Sequence, residues 1–112
     1  MKLRRWDIVF VKADERDQVG HPGVVLSTED ILDDGKQHRF NVLIGTKRVP
    51  AAVVQSHQVL LNGADGLEFQ TMVDCSLVYM VRKASIIRVA GVVGLYRRQE
   101  IQRKIRAHLG LG

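Results

Sequence analysis

Trp6-Asp7-Ile8-Val9-Phe10-Val11, the polar run 13–20 and His21-Pro22-Gly23-Val24-Val25-Leu26-Ser27 decide how this chain folds. The first run alternates and is rich in β-branched and aromatic residues, which suits a half-buried strand. Residues 13–20, Ala-Asp-Glu-Arg-Asp-Gln-Val-Gly, hold no core-facing pattern and read as a mobile loop. Pro22 then punctuates the start of a second buried strand, whose Val24-Val25-Leu26 run is apolar throughout.

Further along, Thr28 to His38 carries Glu29-Asp30 and Asp33-Asp34-Gly35-Lys36 and reads as a solvated excursion with a turn at Asp34-Gly35. Arg39-Phe40-Asn41-Val42-Leu43-Ile44 is a third strand, ending at Gly45-Thr46-Lys47-Arg48 before Pro50 stops any continuation. Gln58 to Leu61 leads into Asn62-Gly63-Ala64-Asp65-Gly66, where two Asx-Gly dipeptides signal a hairpin. Gly66-Leu67-Glu68-Phe69 begins the return strand, continued by Met72 to Cys75 and Leu77 to Val81, and Val89 to Leu95 reads as the last short strand. Short strands at close spacing with glycine-rich turns predict a small barrel. From Arg97 to Leu109 the pattern changes: Ile101, Ile105 and Leu109 recur every four residues on one helical face. Gly110 suits the position after the helix, and Arg103, Lys104, Arg106 and His108 suit its negative end.

With 112 residues and no linker or repeat, residues 1–112 form a single domain. Aromatic residues make up only 5%, so the core rests on valine, isoleucine and leucine. The formal net charge of +5 favours polyanionic partners: nucleic acid, an acidic protein or an anionic surface. Charge at Lys2, Arg4 and Arg5 is followed by no apolar stretch of signal-peptide type, and no run approaches the ~20 residues that span a bilayer, so no membrane partner is expected. The single cysteine, Cys75, excludes an internal disulfide and fits a reducing cytoplasm. A lone cysteine among scattered histidines gives no metal-ligand spacing, so neither metal nor cofactor is expected.

The order of these segments resembles the PemK/MazF toxins, within the CcdB/PemK/MazF superfamily of bacterial toxin–antitoxin systems. The matching residues are Asp7-Ile8-Val9, Pro22 through Ser27 for the family's Arg-Pro-x-Val-Val-Leu-Ser segment, Thr46 after the third strand and Gly63 to Gly66 before the return strand. Val73-Asp74-Cys75-Ser76-Leu77 stands where the family has a Val-x-Cys-Asp strand, and Gly91 through Leu95 precedes the terminal helix. The resemblance spans nearly the whole chain. It implies a mainly β fold with a C-terminal helix, a small SH3-like barrel. It also implies a homodimeric, metal-independent endoribonuclease that cleaves single-stranded RNA to a 2′,3′-cyclic phosphate and is neutralised by an acidic antitoxin.

Such cleavage needs a group to remove the 2′-hydroxyl proton, a group to protonate the leaving 5′-oxygen, and donors or cations around the phosphate. The family commonly places an arginine just before the loop proline and a threonine or serine after the third strand, and some members add an Arg-Cys-Asp triplet. Here Thr46 matches, His21 replaces the arginine, and the triplet becomes Asp74-Cys75-Ser76. His21 is the best replacement, because an imidazole titrates near pH ~6.5 and serves as acid or base at neutral pH. A histidine before a turn is also an ordinary surface residue, and a Gly-Thr pair at a strand end often makes only a local backbone bond. Asp74 is a second candidate base, against the plainer reading of a structural carboxylate. Arg16, Lys47 and Arg48 are candidate RNA-binding cations that offset the missing arginine. Cys75 reads as inert, and His38, His57 and His108 as surface residues. The same departures fit an alternative in which cleavage is lost and the barrel acts by binding, either gripping DNA gyrase as the CcdB branch does or holding RNA without cutting it.

Overall fold

Ile8, Val9, Val24, Val25, Val42 and Leu43 are each completely buried, two in succession on each of three strands. Successive strand residues point to opposite faces, so such pairs require a sheet covered on both sides. In the computed structural model, which describes residues 2–47 and 53–110, that is what these runs build. The strands are β1 (Asp7–Val11), β2 (His21–Val25), β3 (Arg39–Lys47), β4 (Gln58–Leu61), β5 (Thr71–Arg82) and β6 (Ile86–Val92). They form one antiparallel sheet in the order β4-β5-β3-β2-β1-β6, curled into a half-barrel. On one face Trp6, Ile8, Val24, Leu43, Leu61, Val73 and Ile101 pack together; on the other, Leu3, Val9, Val11, Val25, Leu32, Phe40 and Val42 do. Each fully buried aliphatic side chain contributes roughly 1.5–3 kcal/mol relative to exposure.

The two ends of the sheet meet through a loop rather than through strand pairing. Residues 62–70 connect β4 to β5 and include a 3-10 turn, Gly63–Asp65. Gly66 follows with φ +87, a conformation open to glycine. The turn lies against β6, where a Cβ on Gly91 would run into the Asp65 carbonyl. Asp65 is 3% exposed and works as a junction: Oδ2 accepts from the Asn62 amide at 3.1 Å, and Oδ1 accepts from the Gly94 amide at 3.1 Å. Gly94 begins the terminal helix α2 (Leu95–Leu109), which no side chain of its own caps. Asp65 thus ties the loop to the start of that helix.

Helix α2 follows its sequence pattern closely. Ile101 is fully buried, Ile105 packs on the same core, and Gly110 closes the helix at φ +68 with its amide donating to the Arg106 carbonyl. Other expectations change. The last strand is Ile86–Val92, not Val89 to Leu95, because Leu95 already belongs to α2. The excursion after β2 contains a short helix, α1 (Glu29–Asp33), whose C-terminal carbonyls are met from β5's far end. There, the Lys83 ammonium donates to the carbonyls of Ile31, Leu32 and Asp34 at 3.0–3.2 Å. Gly66 to Phe69 stand in the loop, and β5 begins only at Thr71.

Candidate functional site

The loop 13–20 is tied down by its own carboxylates. Asp17 accepts from the amides of Ala13, Val19 and Gly20, and Asp14 accepts from those of Arg16 and Asp17. These Asx bonds satisfy backbone donors that no strand partner reaches. They deliver the chain into β2 at His21, which pairs with Val11 of β1. The β2–β3 register sets Gly23 opposite Ile44, and His21 and Thr46, each two residues further along, line the same cleft. Phe10 lies between Pro22 on one side and Arg88 of β6 on the other.

These residues line one cleft of about 470 Å³ at the end of the half-barrel, completed by Leu67, Glu68 and Phe69 from the β4–β5 loop. Lys47 and Arg88 supply its cations. The Lys47 ammonium stands 4.2 Å from the centre of the Phe69 ring, and the Arg88 guanidinium 4.2 Å from that of Phe10. Such contacts hold long cationic side chains in place while leaving their charge available to a ligand. The hydroxyl of Thr46 has no hydrogen-bond partner among the described residues. Beside the cleft, the amides of Ala13 and then Gly20 hold the Asp17 carboxyl below the usual carboxylate range, with the nearby His21 adding a smaller pull.

His21, Thr46 and Lys47 line the same cleft. Arg16 is an exposed loop residue outside it, and Arg48 lies outside the described residues. Asp74 is not part of the cleft either. It pairs with Gln58 of β4, and its carboxylate accepts from both the amide and the hydroxyl of Ser76, at 2.8 and 2.5 Å. Burial acts to raise its pKa, but the Ser76 hydroxyl and amide, helped by His57 and His108, outweigh that and hold the carboxyl low. His57 and His108 meet edge to face with ring centres 5.9 Å apart, and Lys104 reaches across to the Gln58 carbonyl at 2.5 Å. Cys75 is fully buried next door, and desolvation pushes its thiol up to about 11, away from nucleophilic use.

Phe10, Arg88, Glu68 and Phe69 also line the cleft, and no local sequence pattern groups them with His21 and Thr46. Arg88 was one cation among many in the C-terminal third; its partner Phe10 lies 78 positions earlier (88 less 10), and only the β1–β6 register joins them. Among the described residues, no group of three or more His, Cys, Asp or Glu side chains is arranged to hold a metal ion. No helix among the described residues is long and apolar enough to cross a membrane.

The curled antiparallel half-barrel with its C-terminal helix has the fold of solved MazF toxins. The fold matches a mycobacterial endoribonuclease in complex with its cognate antitoxin at TM-score 0.77 and 14% identity, covering 99% of this chain and 96% of that one. It matches a MazF toxin of Mycobacterium tuberculosis at 0.76 and 16%, covering 95% and 98%. A MazE–MazF complex from Deinococcus radiodurans gives 0.74 and 15%, covering 100% and 99%. At such identities the likeness is one of fold. No protein-family model matches the sequence, and no curated protein matches it.

Proposed function

We propose that this chain is the toxin of a type II toxin–antitoxin pair and acts as an endoribonuclease on single-stranded RNA. The observation that carries this reading is the convergence of His21, Thr46, Lys47 and Arg88 on one open cleft of a MazF-type fold. The reaction is attack of a ribose 2′-hydroxyl on its own 3′-phosphate, leaving a 2′,3′-cyclic phosphate and a free 5′-hydroxyl, with no metal taking part. His21 transfers a proton and the Thr46 hydroxyl donates to a phosphate oxygen. Lys47 and Arg88 offset the charge that builds on the phosphate as the fifth oxygen arrives. Asp74 and Arg16 have no part in this site.

A homodimer and an acidic antitoxin complete the proposal. Beyond the stretch paired with β4, strand β5 presents an open edge, and Leu77, Val78, Tyr79 and Met80 on it are all exposed. An apolar edge of this kind is normally covered in a working protein, and a second copy of the chain is the partner proposed here. The antitoxin follows from the fold neighbours solved with antitoxins and from the basic balance of the chain.

The test is incubation of purified protein with single-stranded RNA in EDTA, followed by analysis of the new ends. Cyclic phosphate on one side of each cut and a 5′-hydroxyl on the other are expected. Intact RNA, or 5′-phosphate ends, would contradict the reading.

A further inference from the structure

Cleavage through a 2′-hydroxyl needs two proton-transfer groups, and His21 is only one of them. The carboxylate that the sequence offered for the second role, Asp74, is held by Ser76 outside the cleft. Among the described residues lining the cleft there is one carboxylate, Glu68, and one imidazole, His21. We propose that Glu68 is the general base of the cleavage and His21 the general acid, an assignment that rests on the ribonuclease reading above.

The backbone on either side of Glu68 is fixed. Leu67 is buried in the core, and before it Gly66 and Asp65 are wedged against β6. After it, Phe69 lies beneath the Lys47 ammonium, and its carbonyl accepts from the Thr71 hydroxyl at 3.2 Å. Glu68 itself is exposed and makes no hydrogen bond or ion pair with the described residues, although Lys47 and Arg88 line the same cleft. The two cations rest on aromatic rings instead. A carboxylate bound by neither cation keeps its oxygens available to accept a proton, while the cations remain available to the phosphate.

The step balances with these groups alone. A Glu68 oxygen takes the 2′-hydroxyl proton as the O2′–P bond forms. The P–O5′ bond breaks as the His21 imidazolium gives its proton to O5′. The products are the cyclic phosphate and a 5′-hydroxyl; exchange with water then returns a proton to His21 and removes one from Glu68.

The experiment is single-turnover cleavage of a short RNA across pH, with the unaltered protein, Glu68→Gln, Glu68→Asp and His21→Ala. The unaltered protein should give a bell-shaped profile, rising as the carboxyl ionises and falling as the imidazolium loses its proton. Glu68→Gln should slow cleavage by ~10²–10⁴ and remove the rising limb while keeping the falling one. Its affinity for a 2′-deoxy oligonucleotide should stay within a few-fold, and Glu68→Asp should recover part of the rate. A substrate whose leaving 5′-oxygen is replaced by sulfur needs no proton on departure, so it should rescue His21→Ala and leave Glu68→Gln slow. Glu68→Gln with an unchanged rate or profile would overturn the assignment, as would rescue of Glu68→Gln by the sulfur substrate. Intact RNA with the unaltered protein would overturn the ribonuclease reading beneath it as well, which separates the two failures.

Discussion

Two parts of this molecule bring imidazole, carboxylate and cations together, and they differ in what those groups do with one another. At the loop-covered end of the half-barrel, His21, Glu68, Lys47 and Arg88 surround open space, and the cations rest on aromatic faces. Where β4, β5 and α2 meet, Asp74 is bonded to Ser76 and Lys104 to the Gln58 carbonyl, and the His57 and His108 rings meet edge to face. Polar groups that satisfy one another hold a fold; polar groups that face a cleft unsatisfied are free to act on a ligand. Residue type alone does not separate the two.

The largest expected difference between the regions is in rate. His21→Ala should lower RNA cleavage by ~10²–10⁴, whereas Asp74→Asn should leave it within a few-fold. Equal losses in gel-based cleavage rates would erase the contrast. Stability should respond next. Asp65→Ala strands the amides of Asn62 and Gly94 and should cost ~1–3 kcal/mol in urea unfolding. It should also slow cleavage, since it loosens the loop that carries Glu68 and Phe69.

Salt titrations should show a smaller effect. Removing Lys47 or Arg88 as alanine variants should each reduce the slope of log affinity against log salt by ~0.7 for single-stranded RNA, while Arg16→Ala should not. The least effect should come from pH acting on Asp74. Its folded pKa lies below its ordinary value of 3.8, so its contribution to stability is present above that pH and is lost as pH falls through the folded value. Asp74→Asn should therefore be slightly less stable than the unaltered protein in urea at pH 7. The two should converge near the acid end of the folded range.

Much of the fold was legible because its signals are local. Ile101 and Ile105 mark the buried side of α2, Gly110 its end, and Trp6 to Val11 and His21 to Val25 their strands. The boundaries that moved depend on distant contacts. Leu95 joins the helix where Asp65 receives the Gly94 amide, and α1 ends where Lys83 meets its carbonyls. The site was half legible for the same reason. His21, Thr46 and Lys47 fall on strand ends that the sequence marks with proline and glycine. Glu68 and Arg88 join them only through a nine-residue loop (62 to 70) wedged on β6 and through the β1–β6 register. For Asp74 the sequence allows either a base or a structural carboxylate, and its bonds to Ser76 are visible only once the strand is placed.

The most direct measurement follows the imidazole resonances of the histidines by NMR as an uncleavable 2′-deoxy oligonucleotide is added. The His21 signals should move in proportion to occupancy while those of His57 and His108 stay where they are. Movement of His57 and His108 with His21 unchanged would place the nucleic acid on the wrong side of the molecule and rule out the His21 cleft as its site.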